Sequence, residues 1–143
     1  LDIIKRASKI YDKLYIGVSD EESIKNKLFD IEHRLNLTSK AVLDLSNVEV
    51  VKFKGLLVEK CRKLNCSVII RGLRALSDYD YEFKMALMNR TLDDEIVTLF
   101  MMPHERYTHV SSSLIKEVSI LGGNMAKYVP NHVERALKEK IGK

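Results

Sequence analysis

Strand-like and helix-like segments alternate from one end of the 143-residue sequence to the other, which predicts an α/β fold with a parallel sheet flanked by helices. Two observations sharpen that expectation. The apolar run Ser67-Val-Ile-Ile70 stops at Arg71-Gly-Leu-Arg74, as a buried strand does when its carboxyl end opens into a strand-to-helix turn. No repeat, low-complexity tract or linker breaks the chain, so residues 1–143 read as a single domain, long enough to close one core.

Each element has its own reason. The stretch Leu1 to Tyr11 is amphipathic, with Leu1, Ile4, Ala7, Ile10 and Tyr11 on one helical face. It is helical in pattern from its first residue and carries no cap, which predicts sequence upstream of Leu1. Lys13 to Val18 reads as a strand, and the polar, aperiodic segment Ser19 to Lys27 as a loop. Asp30 caps a helix reaching about Leu45, with Ile31, Leu35, Ala41 and Val42 inward, although His33 completes no capping box. Asn47 to Phe53 is the next strand and Leu56 to Leu64 a short helix. A strand over 67–70, a helix from about Asp78 to Leu92 and a strand from Glu95 to Met101 follow, and two closing helices begin near Ser111 and Asn131.

Composition narrows the function classes. Apolar residues make up 45% and charged residues 31%, a balance that argues against disorder. A net charge of +4 suits an anionic ligand, but without a clustered patch it does not call for nucleic acid. Cys61 and Cys66 have no second pair and read as reduced thiols of a cytoplasmic protein. No apolar run approaches the length needed to cross a bilayer, so a soluble chain without a membrane partner is expected.

The candidate chemistry lies at the strand end. Each guanidinium of Arg71 and Arg74 offers a fork of donors that binds two phosphoryl oxygens at once, and Gly72 between them lets backbone approach a ligand closely. The plainer account of such a pair is a solvated surface feature; its place at the carboxyl end of a buried strand favours the phosphate reading. Ser111, Ser112 and Ser113 open a helix, where unpaired N–H groups and hydroxyls form a second anion site, while a single one of them suffices for an N-cap. Glu82 is either an exposed helical carboxylate or a group that orients an arginine or accepts a ribose hydroxyl.

Other signals are weaker. His104 and His109 read as a surface pair rather than a metal site, and Met85, Met88, Met101 and Met102 as core filler. There is no Gly-rich dinucleotide fingerprint, no Walker sequence and no Ser, His and Asp arrangement for covalent catalysis.

Three motifs in order carry a family resemblance. Ile70-Arg-Gly-Leu-Arg74, Asp78-Tyr-Asp-Tyr-Glu82 with Met88-Asn-Arg90, and Val110-Ser-Ser-Ser-Leu-Ile-Lys-Glu117 closely resemble the bacterial phosphopantetheine adenylyltransferases. The similarity covers essentially the whole chain. It implies a Rossmann-like nucleotidyltransferase fold, a homohexamer, and magnesium-dependent, reversible transfer of an adenylyl group from ATP to 4'-phosphopantetheine in coenzyme A biosynthesis. By position, the resemblance gives Arg71, Lys25 and Leu57 to phosphopantetheine, with Lys25 bridging both substrates and Lys25 and Arg74 as the catalytic cations. It gives Gly72, Leu73, Arg74 and Glu82 to ATP, together with Tyr107, Thr108, His109, Val110, Ser111, Ser112 and Ser113.

The sequence departs from the family at two places. Ser19-Asp-Glu-Glu-Ser-Ile-Lys-Asn-Lys27 lacks the prolines that usually flank the substrate lysine, so Lys27 stays a candidate beside Lys25. The family's first strand, with its Gly-(Ser or Thr)-Phe-Asp-Pro and Thr-x-Gly-His segments, has no counterpart here, and no histidine present takes that role. A sheet without that central strand is expected to expose two edges and an apolar trough. Two other readings are a related nucleotidyltransferase making a pyridine dinucleotide or a CDP-alcohol, and a catalytically dead nucleotide-binding fragment. Comparing affinity for phosphopantetheine with that for nicotinate mononucleotide separates the first, and nucleotide binding without turnover marks the second.

Overall fold

A computed structural model describes residues 1–21 and 27–142, the side chains of residues 76 and 77 excepted. In chain order these residues form α1 (Asp2–Ala7), β1 (Leu14–Ser19), α2 (Ile31–Ala41), β2 (Val48–Phe53), α3 (Leu57–Lys63) and β3 (Val68–Gly72). There follow α4 (Leu76–Leu92), β4 (Val97–Met101), a 3-10 turn (Glu105–Tyr107), α5 (Ser112–Ile120) and α6 (Asn131–Ile141). The alternation and the parallel pairing are those expected. β1 runs beside β2 from Leu14 opposite Val48 to Ser19 opposite Phe53, and β3 beside β4 from Val68 opposite Val97 to Gly72 opposite Met101.

The described strands form two parallel pairs, β1 with β2 and β3 with β4. Residues 13–17 of one pair and 67–71 of the other line a trough of about 570 Å³, to which α1 adds Ile3 and Ala7 and α3 adds Leu57 and Cys61. Each pair therefore turns an unbonded strand edge towards this trough, a row of N–H and C=O groups without ladder partners among the described residues. Beside it, Val58, Cys61, Ile69 and Ile96 form the buried core under α3.

Element ends differ from the sequence expectation where tertiary bonds intervene. α1 stops at Ala7 instead of Tyr11, because Lys9 and Ile10 bond back three residues and Asn47 Nδ2 donates to the carbonyls of Ser8 (2.7 Å) and Tyr11 (2.8 Å). Ile10 is consequently exposed while Ala7 is buried. α2 ends at Ala41, short of Leu45, and Val42 turns inward; at its start Asp30 accepts the N–H of His33 at 2.8 Å. β3 continues through Arg71 and Gly72, since both remain paired with β4. Arg71 is thus a strand residue and only Arg74 lies in the turn.

Gly72 has a structural reason of its own. A Cβ there would stand 2.6 Å from Cδ1 of Ile3, so the glycine lets α1 lie directly on the end of β3. α4 begins at Leu76, two residues ahead of Asp78, which places Asp78 in the first turn. Its inward stripe is Asp78, Glu82, Ala86 and the buried Asn89, whereas Tyr81, Phe83, Met85, Leu87 and Met88 face outward. Met85, Met88 and Met102 are 40%, 55% and 67% exposed, so they do not fill core gaps as expected; Met125 is the buried methionine. No helix among the described residues is long and apolar enough to cross a membrane.

Candidate active site

The parallel strands deliver their carboxyl ends to one rim, where open α/β folds bind ligands. Arg71, next to last in β3, meets Glu82 side-on: Nε donates to Oε2 and Nη2 to Oε1, both at 2.7 Å. Arg74, in the turn, is held the same way by Asp78, with Nε to Oδ2 at 3.0 Å and Nη2 to Oδ1 at 3.2 Å. The spacing explains the match. Asp78 and Glu82 lie one helical turn apart on the inward stripe of α4, while Arg71 and Arg74 are three residues apart along the strand exit.

These pairs shape the electrostatics. The Glu82 carboxylate raises the guanidinium of Arg71 above its ordinary range, and Arg74 holds the Asp78 carboxyl below its usual value, so Arg71 and Asp78 both stay charged at neutral pH. Glu82 is 12% exposed and Arg71 43%, so solvent screens the pair in part and its worth is about 1–2 kcal/mol. A guanidinium carries five N–H groups. Arg71 spends two on protein acceptors and Arg74 three, which leaves both with donors for an anion among the described residues.

The third bond of Arg74 crosses the rim. Its Nη1 donates to the carbonyl of Val110 at 2.7 Å, tying the arginine turn to the residue before the serine triplet. The serine helix mouth and the arginines therefore share one side of the molecule. Ser111 is the N-cap of α5 and its hydroxyl accepts the N–H of Leu114 at 3.1 Å; Ser112 and Ser113 are exposed in the first turn. The capping account thus covers one serine of three.

Other candidates are placed as follows. Tyr107 lies under the guanidinium of Arg106, 4.5 Å from it, and its hydroxyl accepts from Arg106 Nη2. Thr108 Oγ1 donates to the Glu105 carbonyl at 2.7 Å, and the His109 ring stands edge-on to Tyr128 at 5.7 Å. His104 instead joins α1, donating its N–H to Asp2 at 3.0 Å, so the two histidines serve different contacts. Among the described residues no group of three or more His, Cys, Asp or Glu side chains is placed to hold a metal ion. Leu73 is buried and its N–H is spent on the Met101 carbonyl, so only its carbonyl is left to face a ligand. Leu57 lines the trough, which Arg71 also borders. Lys27 donates to the carbonyls of Ser19 and Glu21, and Lys25 lies outside the described residues.

Residues 1–118 match the family model described as cytidylyltransferase-like. Across its whole length the chain is 44% identical to the phosphopantetheine adenylyltransferase of Methylacidiphilum infernorum (isolate V4), of which it spans 83%. The chain belongs to the phosphopantetheine adenylyltransferase family.

Two carboxylates with structural partners, Asp78 on Arg74 in this phosphopantetheine adenylyltransferase-family site and Asp2 on the His104 N–H, are not singled out by the sequence. Asp78 was visible as part of the acidic, tyrosine-rich segment, and the signal that finds it is the pairing of an Arg-x-x-Arg strand exit with an Asp-x-x-x-Glu helix face. Asp2 had no comparable signal, because its partner His104 lies 102 residues away.

Proposed function

We propose that this protein catalyses the reversible transfer of an adenylyl group from ATP to 4'-phosphopantetheine, giving dephospho-coenzyme A and pyrophosphate, in the cytoplasm. The observation that carries the reading is the Arg74 to Val110 bond of 2.7 Å, which joins two anion-binding elements into one rim. A phosphate oxygen of phosphopantetheine attacks the α-phosphorus of ATP, the bond to the β-phosphate oxygen breaks, and pyrophosphate leaves. The attacking group is already an anion, so the protein needs no strong base, and its task is alignment and charge neutralisation. Arg71 takes the phosphopantetheine phosphate with its free N–H groups. Arg74, the main chain of Gly72 and Leu73, and residues Tyr107 to Ser113 take the nucleotide; Glu82 sets Arg71 and meets the adenosine side.

Magnesium would be held by the triphosphate's own oxygens, since no group of three or more His, Cys, Asp or Glu side chains among the described residues is placed to hold it, and it would supply further charge neutralisation there. Lys25 bridges the substrates, the alternative being Lys27, whose ammonium is bonded to two carbonyls. The trough between β1 and β3, bordered by an unbonded edge of each strand pair, offers room and edge partners for one further parallel strand. The outward apolar face of α4 supports assembly into a homohexamer, because so many exposed large side chains on one helix call for a covering surface.

Pyrophosphate release by the full-length protein tests the reading. Turnover is expected only when ATP and 4'-phosphopantetheine are both present. Equal turnover with nicotinate mononucleotide as acceptor, or none with either, would overturn it.

A further inference from the structure

We infer that Asp78 is a positioning residue for adenylyl transfer, acting by holding the Arg74 guanidinium in one plane against the Val110 carbonyl. The inference rests on the proposed function of the site. Arg74 belongs to a turn that a single flexible side chain would otherwise have to cross, and 40% of that side chain is exposed. Left alone, such a guanidinium samples many rotamers, and ordering it when ATP binds costs entropy.

Three fixed bonds remove that freedom before the nucleotide arrives. Asp78 occupies one edge of the fork through Nε and Nη2, and Val110 accepts from Nη1, so the plane of the group is set by acceptors on two different elements. Asp78 also accepts the backbone N–H of Arg74 at 3.4 Å, which ties the turn to the same carboxylate. The carboxylate is itself anchored, because it sits in the first turn of a 17-residue helix. Asp78 does not need to touch substrate for this. The remaining donors of Arg74 face the rim in a preset direction, which is what preorganised charge stabilisation requires.

A plain helix-stabilising role for an acidic residue in the first turn predicts something different: a lower melting temperature and unchanged kinetics. The test is a double-mutant cycle in the full-length enzyme, with Asp78→Ala, Asp78→Asn, Arg74→Ala and Arg74→Ala combined with Asp78→Ala. Asp78→Ala is expected to lower kcat about 10- to 100-fold with the KM for 4'-phosphopantetheine unchanged within about twofold. Asp78→Asn keeps one acceptor and should recover part of that loss. In the Arg74→Ala background, Asp78→Ala should cost nothing further, because its only route to the reaction has gone. If Asp78→Ala fails to fold, Asp78→Asn, alone and with Arg74→Ala, carries the same comparison. Wild-type kcat in both Asp78 variants, or the same fold loss with and without Arg74, overturns the inference while leaving the adenylyltransferase reading intact. An inactive wild-type enzyme overturns both.

Discussion

Arg71 and Glu82 meet through two parallel hydrogen bonds of 2.7 Å each, so the first arginine of the strand exit is fixed by a helix eleven residues further on. With Asp78 on Arg74 one turn earlier, a single face of α4 sets both cations of the rim. A strand end, normally a place of loose side chains, becomes a rigid pair of donors.

The first prediction concerns that pair. Arg71→Ala removes the fork and should reduce kcat/KM for 4'-phosphopantetheine by at least about 100-fold, near 3 kcal/mol, while Arg71→Lys restores only part because an ammonium cannot bind side-on to Glu82 and phosphate together. Steady-state kinetics on the full-length enzyme decide it; wild-type values in either variant would remove Arg71 from the site.

Gly72 is predicted to matter for packing before it matters for ligands. Gly72→Ala places a methyl 2.6 Å from Ile3 Cδ1, the movable end of that side chain, and should cost up to about 1 kcal/mol of stability. Ile3→Val deletes the offending methyl, so the double variant should melt higher than Gly72→Ala alone. Additive losses in thermal unfolding would mean that the contact is not the cause.

The outward face of α4 makes a third case. Tyr81 and Met88, 62% and 55% exposed, lie seven residues apart on that face. Met88→Glu or Tyr81→Glu should split the full-length protein into smaller species in light scattering after size exclusion, with the helix content retained. An assembly of unchanged mass would move the interface elsewhere.

The acid limb of stability tests the charges. Asp2 is held below its ordinary value of 3.8 chiefly by the N–H of His104, and Asp78 likewise by Arg74. A carboxyl with a depressed folded pKa contributes stability that is present above the unfolded pKa and lost as pH falls through the folded one. At pH 6, Asp78→Asn should therefore melt about 2–3 °C lower than wild type, an effect of up to about 1 kcal/mol after solvent screening. That gap should close as pH falls below 3.8, whereas a gap independent of pH would show that the charge is not responsible.

Much of this architecture is legible locally. Alternating periodicity marks the strands and helices within a few residues, Asp30 and Ser111 mark helix starts through their caps, and the apolar run into Arg71 marks the carboxyl end of β3. The three motifs also identify the family. Residue type misleads on α4, whose methionines read as core filler and lie outside, because the helix turns its polar stripe to the arginines instead.

What the amino-acid order determines by itself here is each segment's conformation and the kind of group it brings to the rim, since backbone propensity, capping and residue chemistry act over a few neighbours. Which carboxylate holds which guanidinium, the Arg74 to Val110 tie, the close approach of α1 to Gly72 and the open trough between the strand pairs were decided only by the tertiary structure. The reason is physical: contacts between residues tens of positions apart depend on strand order and helix placement, which arise from the packing of the whole domain and from no local stretch of it.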